Sequence, residues 1–162
     1  MSDFLLKMRE FIREKWVPNF EYVVNDAADI PWAKLNKRLN QCKVAVISTG
    51  GFYQKADHPF DAENPAGDPS YRSIPKTATR ADLAIAHTHY DHKYVNEDLN
   101  VALPLEIFRQ YERRGIIGEL AETNYSFMGY IPVAGELINT TAPEVAERLA
   151  AAGVDAVFLA PT

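Results

Sequence analysis

Three of the four histidines in this chain fall within one short run, His87-Thr88-His89-Tyr90-Asp91-His92. Imidazoles and a carboxylate at this spacing, on a turn that follows a strand, can converge on a metal, and a bound zinc or iron would make its water acidic enough to react. The candidate ligands are His87, His89, Asp91 and His92. The same histidines could instead cap backbone carbonyls or hold a subunit contact. A second polar set follows the apolar run Lys43–Ser48: Thr49, Gly50 and Gly51. Without a Cβ, Gly50 and Gly51 let backbone amides approach a small ligand, although glycines also serve only to turn the chain. Asp91 suits an amino or hydroxyl group, and Tyr125 and Ser126 could line a pocket, so these five residues are the candidate substrate-binding set. Aromatic residues are as often core, and Asn96 and Asn100 read as turn formers ahead of Pro104. No nucleophile elbow surrounds Ser126, and neither G-x-G-x-x-G nor G-x-x-x-x-G-K-[ST] occurs.

These residues need elements to hold them. Phe4, Leu5, Met8, Phe11, Ile12 and Trp16 share one face of a helix over residues 4–16, with Ser2 or Asp3 as its cap and Pro18 beyond its end. Core packing is the preferred reading of that stripe, docking on a second subunit the other. Pro31-Trp32 opens a shorter helical stretch with Leu35 and Leu39 inward. Residues 43–48 read as a buried parallel strand. Residues 52–76, rich in Pro, Asp, Gly and Asn, read as a long loop whose polar candidates are His58, Asp61, Asp68, Tyr71 and Arg72. A second strand is expected over 82–86. A helix starts at Pro104, buries Leu105, Ile107, Phe108 and Tyr111, and stops at Gly115. Thr141 and Glu144 form a T-x-x-E capping box for a helix burying Val145, Ala146 and Leu149, which ends at Gly153. A third buried strand spans 154–159. The alternation predicts an α/β fold: one domain over 1–162, a helical arm to about residue 40, and a mostly parallel, Rossmann-like sheet flanked by helices over 43–162. Ligands bind beyond the carboxyl ends of such strands, so Gly50, His89 and Thr162 should share one rim.

Composition narrows the classes. A chain of 162 residues with 47% hydrophobic and 24% charged residues can bury a core without disulfides. A net charge of −5 with no basic run opposes nucleic-acid binding. No apolar run approaches the ~20 residues of a membrane span. A single cysteine, Cys42, excludes an intrachain disulfide and suits a reducing, cytoplasmic compartment.

The histidine run matches the H-x-H-x-D-H signature of metallo-β-lactamase-like hydrolases. That family takes further histidines from far downstream, and none follows His92 here. A metallo-hydrolase is the weakest of the readings.

From Asp98 onward the sequence resembles the selenoprotein B family of glycine, sarcosine, betaine and D-proline reductases. The stretches that carry the resemblance are DLNVALPLEIFRQ, GIIGELAETNYSFMGYI, APEVAERLAAAGVDAVFLAPT and, more weakly, GDPSYRSIP. In that family the strand resembling Gly153–Leu159 leads into a selenocysteine or cysteine redox motif. The resemblance implies reductive cleavage of a small amino-acid-like substrate and a pyruvoyl-containing partner subunit; the chain is separately expected to form a homo-oligomer. A selenolate or thiolate there would be stabilised by the amino end of a following helix. Here no cysteine follows Thr162, and Cys42 lies at the amino end of its strand. No catalytic residue is therefore present. It is expected immediately after Thr162, as a selenocysteine in a longer form of which this chain is an incomplete piece, and the chain by itself is expected to reduce nothing. The alternative is a non-catalytic small-molecule or metal-binding domain built on the His87–His92 cluster.

Overall fold

Lys43–Ser48 forms β1, the axis of the fold, in a computed structural model that describes residues 3–18, 20–23 and 33–162. Val44, Ala45, Val46 and Ser48 are buried, as befits a strand paired in parallel on both sides. One edge takes β7 (Ala156–Ala160), parallel, in register from Val44↔Ala156 to Ser48↔Ala160. The other edge takes two short parallel strands end to end, β5 (Glu119–Leu120) at Lys43 and Val44 and β6 (Thr123–Phe127) at Ile47 and Ser48. Where they break, the Asn124 side chain replaces the ladder: its Oδ1 accepts the Val46 N–H at 2.8 Å and its Nδ2 donates to the Ala121 carbonyl at 3.1 Å. Outside β6 lies β3 (Tyr71–Pro75), antiparallel. The sheet is mixed but mostly parallel, and helices flank it, so the expected α/β class holds.

Both faces of the sheet carry a core. Val44 and Val46 pack with Phe52, Leu83, Leu103 and Phe108 on one face. Ala45, Tyr125 and Phe127 pack with Val145 and Leu149 on the other. Helix α3 (Leu105–Arg113) buries Leu105 and Phe108, with Ile107 and Tyr111 half-buried, and Gly115 follows it in the left-handed region. Helix α4 (Ala142–Ala151) buries Val145 and Leu149.

Several expectations fail for identifiable reasons. Residues 82–86 do not join the parallel sheet. Their β4 (Leu83–Ile85) pairs antiparallel with β2 (Phe52–Gln54) in a separate ribbon, because the Gly50-Gly51 turn feeds the chain straight from β1 into β2. The supposed loop over 52–76 therefore holds two strands, β2 and β3, short enough to be hidden among the Pro and Asp residues. Strand β7 is not buried: Val157, Phe158 and Leu159 are exposed, Leu159 by 66%, since β7 pairs only with β1 among the described residues. Thr141 makes no capping box. A π-turn over Leu137–Thr141 already places it in helical geometry, its hydroxyl donates to the Pro69 carbonyl at 2.7 Å, and Glu144 pairs with Arg148 instead. Ala146 faces solvent.

The arm differs most. Helix α1 (Asp3–Lys15) forms as its spacing predicts but buries no residue, and Phe4 and Trp16 are 68% and 66% exposed. Its stripe is thus not core, and among the described residues of the arm Val17, beyond the helix end, is the buried apolar one. Ser2, Pro31 and Trp32 lie outside the described residues. Residues 33–38 are not helical, Leu39–Gln41 is a single 3-10 turn, and Leu35 and Leu39 are exposed rather than inward. No helix among the described residues is long and apolar enough to cross a membrane.

Candidate functional site

The carboxyl ends of the strands meet at one corner. Beyond β1, the Thr49 N–H donates to the Ala160 carbonyl at the end of β7, and the Thr162 N–H returns to the Thr49 hydroxyl at 2.9 Å. The Gly51 N–H donates to the Phe127 carbonyl at the end of β6, and the Gly51 carbonyl accepts the Ala86 N–H beyond β4. Gly50 and Thr162 therefore share a rim, as expected, and the histidine run reaches it from the β2–β4 ribbon.

Of the three clustered histidines the rim buries one. His87 is 5% exposed. Two glycines make room for it. A Cβ on Gly51 would stand 2.8 Å from the His87 Cβ, and one on Gly129 would stand 3.0 Å from His87 Nε2 and 2.6 Å from the Thr49 carbonyl oxygen. Both have positive φ, so the sequence meets the close approach and the turn with the one residue type that tolerates both. The His89 N–H donates to His87 Nδ1 at 3.1 Å, which places the imidazole proton on Nε2. No described residue accepts from that Nε2–H. Burial, then the neighbouring His89 and His92, push the His87 pKa down to about 4, so the ring is neutral at pH 7.

Tyr90 braces this ring. Its edge meets the His87 ring at 4.9 Å between centroids, and its hydroxyl donates to the Gly50 carbonyl at 3.0 Å. Burial pushes the phenol up to about 12, so it stays a donor. The other histidines turn elsewhere. His89 is exposed and stacks on Tyr130, centroids 3.7 Å apart and planes 10° off parallel. His92 packs against the far side of the run with Tyr90 at 4.5 Å, and its Nε2 is buried without a partner.

The proposed metal ligands do not converge. His87 Nδ1 already accepts a backbone N–H, the His87 and His89 rings are 6.0 Å apart, and Asp91 Oδ1 accepts the Lys93 N–H at the start of α2 (Lys93–Glu97). Among the described residues no group of three or more His, Cys, Asp or Glu is placed to hold a metal. The donor set as folded does not fit zinc or iron.

The substrate-binding candidates divide in the same way. Gly50 and Gly51 are at the rim, but their amides are engaged by the Ser48 hydroxyl and the Phe127 carbonyl, and the space a Cβ would need is filled by Phe52 at Gly50 and by Ala86 and His87 at Gly51. Tyr125 and Ser126 alternate on β6 and point to opposite faces. Tyr125 packs on Tyr71 in the α4-side core, while the Ser126 hydroxyl accepts the Phe52 N–H at 2.8 Å behind the rim. Asp91 is exposed and caps a turn. In the 52–76 segment, Arg72 staples the chain to itself through the His58 and Pro59 carbonyls and lies over Phe60, away from the rim. Sequence reasoning missed Tyr90, Gly129 and Tyr130. The Gly-Tyr pair closing the Tyr-Ser-Phe-Met segment is the signal that could have marked the last two.

Comparison with known proteins identifies the fold's lineage. The model of the glycine/sarcosine/betaine reductase selenoprotein B family matches residues 6–162. This chain belongs to that family. It is 38% identical over 128 residues to the D-proline reductase subunit gamma of Acetoanaerobium sticklandii, covering 79% of this chain and 52% of that protein. It is 30% identical over 162 residues to the glycine reductase complex component B subunit gamma of Peptoclostridium litorale, covering 97% of this chain and 35% of that protein. The sarcosine reductase complex component B subunit beta of Peptoclostridium acidaminophilum is 30% identical over 130 residues. No solved structure matches. The chain spans between about a third and a half of these two gamma subunits. Within this selenoprotein B-type fold, the stretches that carry the resemblance form α3, the β5–β6 strand with its Gly129 corner, α4 and β7. Their strands pair in parallel with β1 on both its edges and bring Gly129 and Thr162 to the rim.

Proposed function

We propose that this chain is the α/β unit of a selenoprotein B-type component in a reductase complex, and that its rim binds a small amino-acid-like molecule for reductive cleavage. The observation that carries the reading is His87: a buried, neutral imidazole at the strand ends, packed against Gly51 and Gly129, whose Nε2–H meets no acceptor among the described residues. Such a donor suits a substrate carboxylate, whose charge it can accept without a competing proton equilibrium near pH 7. The relatives' names supply the substrate class and the multi-subunit setting.

Reductive cleavage takes up two electrons and needs a nucleophile or cofactor to relay them. Cys42, the chain's one thiol, is fully buried at the amino end of β1, where it donates to the Arg38 carbonyl at 3.2 Å. The role of residues 1–162 is thus to bind and orient substrate. The selenocysteine or cysteine nucleophile comes from outside these residues, and a pyruvoyl-containing subunit activates the substrate. The apolar side chains exposed on β7 and α1 offer other subunits, or further copies of the chain, a surface to cover.

The test is dithiol-dependent reduction of glycine, sarcosine, betaine and D-proline by the purified chain and by the complex reassembled with its native partner subunits. The chain alone should turn over none of them, and the complex one or more, with His87→Ala lowering the rate at least about tenfold. Turnover by the chain alone, undiminished in Cys42→Ser, or a His87→Ala complex of unchanged rate, would overturn the reading.

A further inference from the structure

The main sheet ends on β3 at one side and on β7 at the other, and the two strands are built differently. β3 is made as an edge: Arg72 and Pro75 interrupt its apolar residues and Ser73 is exposed, devices that keep a sheet margin from pairing further. β7 has none of them. Ala156–Ala160 reads Ala-Val-Phe-Leu-Ala, with no charge, no proline and no polar alternation, the composition of a strand paired on both sides and covered on both faces. Yet among the described residues it pairs only with β1, and Val157, Phe158 and Leu159 are exposed.

A cleft lies beside this strand on each face. On one, a cleft of about 410 Å³ runs between Leu159 and Ala142, Ala146 and Ala150, a row of α4 at four-residue spacing. Side chains this small let a second helix approach closely. On the other face Phe158 leans on Phe108, centroids 5.1 Å apart, and borders a cleft of about 410 Å³ with Pro104 and Ile107. Asp155, at the amino end of β7, is already satisfied: Lys37 pairs with one carboxylate oxygen at 2.6 Å and the Lys43 N–H donates to the other at 2.9 Å. An occupant therefore meets apolar walls on both faces and the outward backbone groups of the edge between them.

A lone peptide strand would satisfy the edge and leave both clefts open. A helix would fill one cleft and leave the edge. A strand with a helix attached does both, and α/β sheets extend in this way, by parallel strands with helical crossovers. The relatives have the chain to supply such a unit: about two-thirds of the Peptoclostridium litorale gamma subunit lies outside the stretch that matches this chain.

We propose that β7 is an interior strand of the complete B-type subunit, and that its open surface receives a βα unit from the part of that subunit outside residues 1–162. The unit is a parallel strand, apolar on both faces, with its helix against the alanine row of α4. This holds whatever the rim binds.

Hydrogen exchange, read by mass spectrometry on peptides spanning β7, tests the proposal on the 162-residue chain, on the intact Peptoclostridium litorale subunit, and on a hybrid in which this chain replaces the matched stretch of that subunit. Each is diluted until it sediments as a single copy. The β7 amides should exchange about 100-fold more slowly in the intact subunit and the hybrid than in the chain alone. Leu159→Lys should lower the unfolding midpoint of the hybrid and leave that of the diluted chain unaltered. If the hybrid does not fold, the intact subunit with lysine at the aligned position gives the same reading. Equal exchange of β7 in the chain and the intact subunit, or a midpoint that the lysine leaves alone, would overturn the proposal. So would protection that appears only as concentration rises, since a second copy would then be the occupant.

Discussion

Burial removes water from His87, and the other two histidines of the run oppose a further charge, so the ring holds no proton until about pH 4. In the unfolded chain the same ring titrates near its ordinary 6.5. Between those values the unfolded state binds the extra proton, so stability contributed here is full above pH 6.5 and falls as the pH drops toward 4. The loss should be on the order of 2–3 kcal/mol, read as a decline in denaturant midpoint that His87→Gln flattens. Cys42 gives a second residue-scale expectation. Its burial should leave it unreactive toward thiol reagents in the native chain and promptly reactive in denaturant. The histidine run announced itself in the sequence. Which histidine would be buried did not, because that is decided by Gly51 and Gly129, which reach His87 from 36 and 42 positions away.

Among the elements, two joints hold the rim in place. Gly129 ends the β6 segment with positive φ and no room for a Cβ. Gly129→Ala should therefore cost at least about 2 kcal/mol, whereas Gly115→Ala, with similar φ but open space around it, should cost about 1 kcal/mol. Asn124 bridges the gap between β5 and β6. Asn124→Ala would leave the Val46 N–H buried without an acceptor and should cost about 2–3 kcal/mol. Thermal or chemical unfolding of the three variants checks the ranking. β1 and α3 were legible because their apolar spacing and helix signals agree with their burial. The pairing of β4 was not, since three residues of apolar sequence fit a ribbon as well as a sheet. Nor was the exposure of β7, because Ala-Val-Phe-Leu-Ala reads as core and only its neighbours decide. Thr141 looked like a cap, but a π-turn is invisible to a four-residue motif.

At the scale of the molecule, family membership was readable from the stretches after Asp98, and the α/β class from the alternation of apolar runs and helical stretches along the chain. The arm was not, since an amphipathic stripe says that something covers it but not what. With Val157, Phe158 and Leu159 exposed on β7, the chain should sediment at micromolar concentration as more than one 18.2 kDa unit, and Leu159→Lys should shift it toward the monomer. The central claim is that the strand-end rim around His87 binds a small amino-acid-like molecule. The most direct measurement is a backbone and imidazole NMR titration of the chain with glycine, sarcosine, trimethylammonioacetate and D-proline in turn. If the rim is the site, at least one of them shifts the resonances of Gly51, His87, Tyr90 and Gly129 in a saturable way, and His87→Gln abolishes the response. Saturable shifts confined to other surfaces, or none with any of the four compounds, would contradict it.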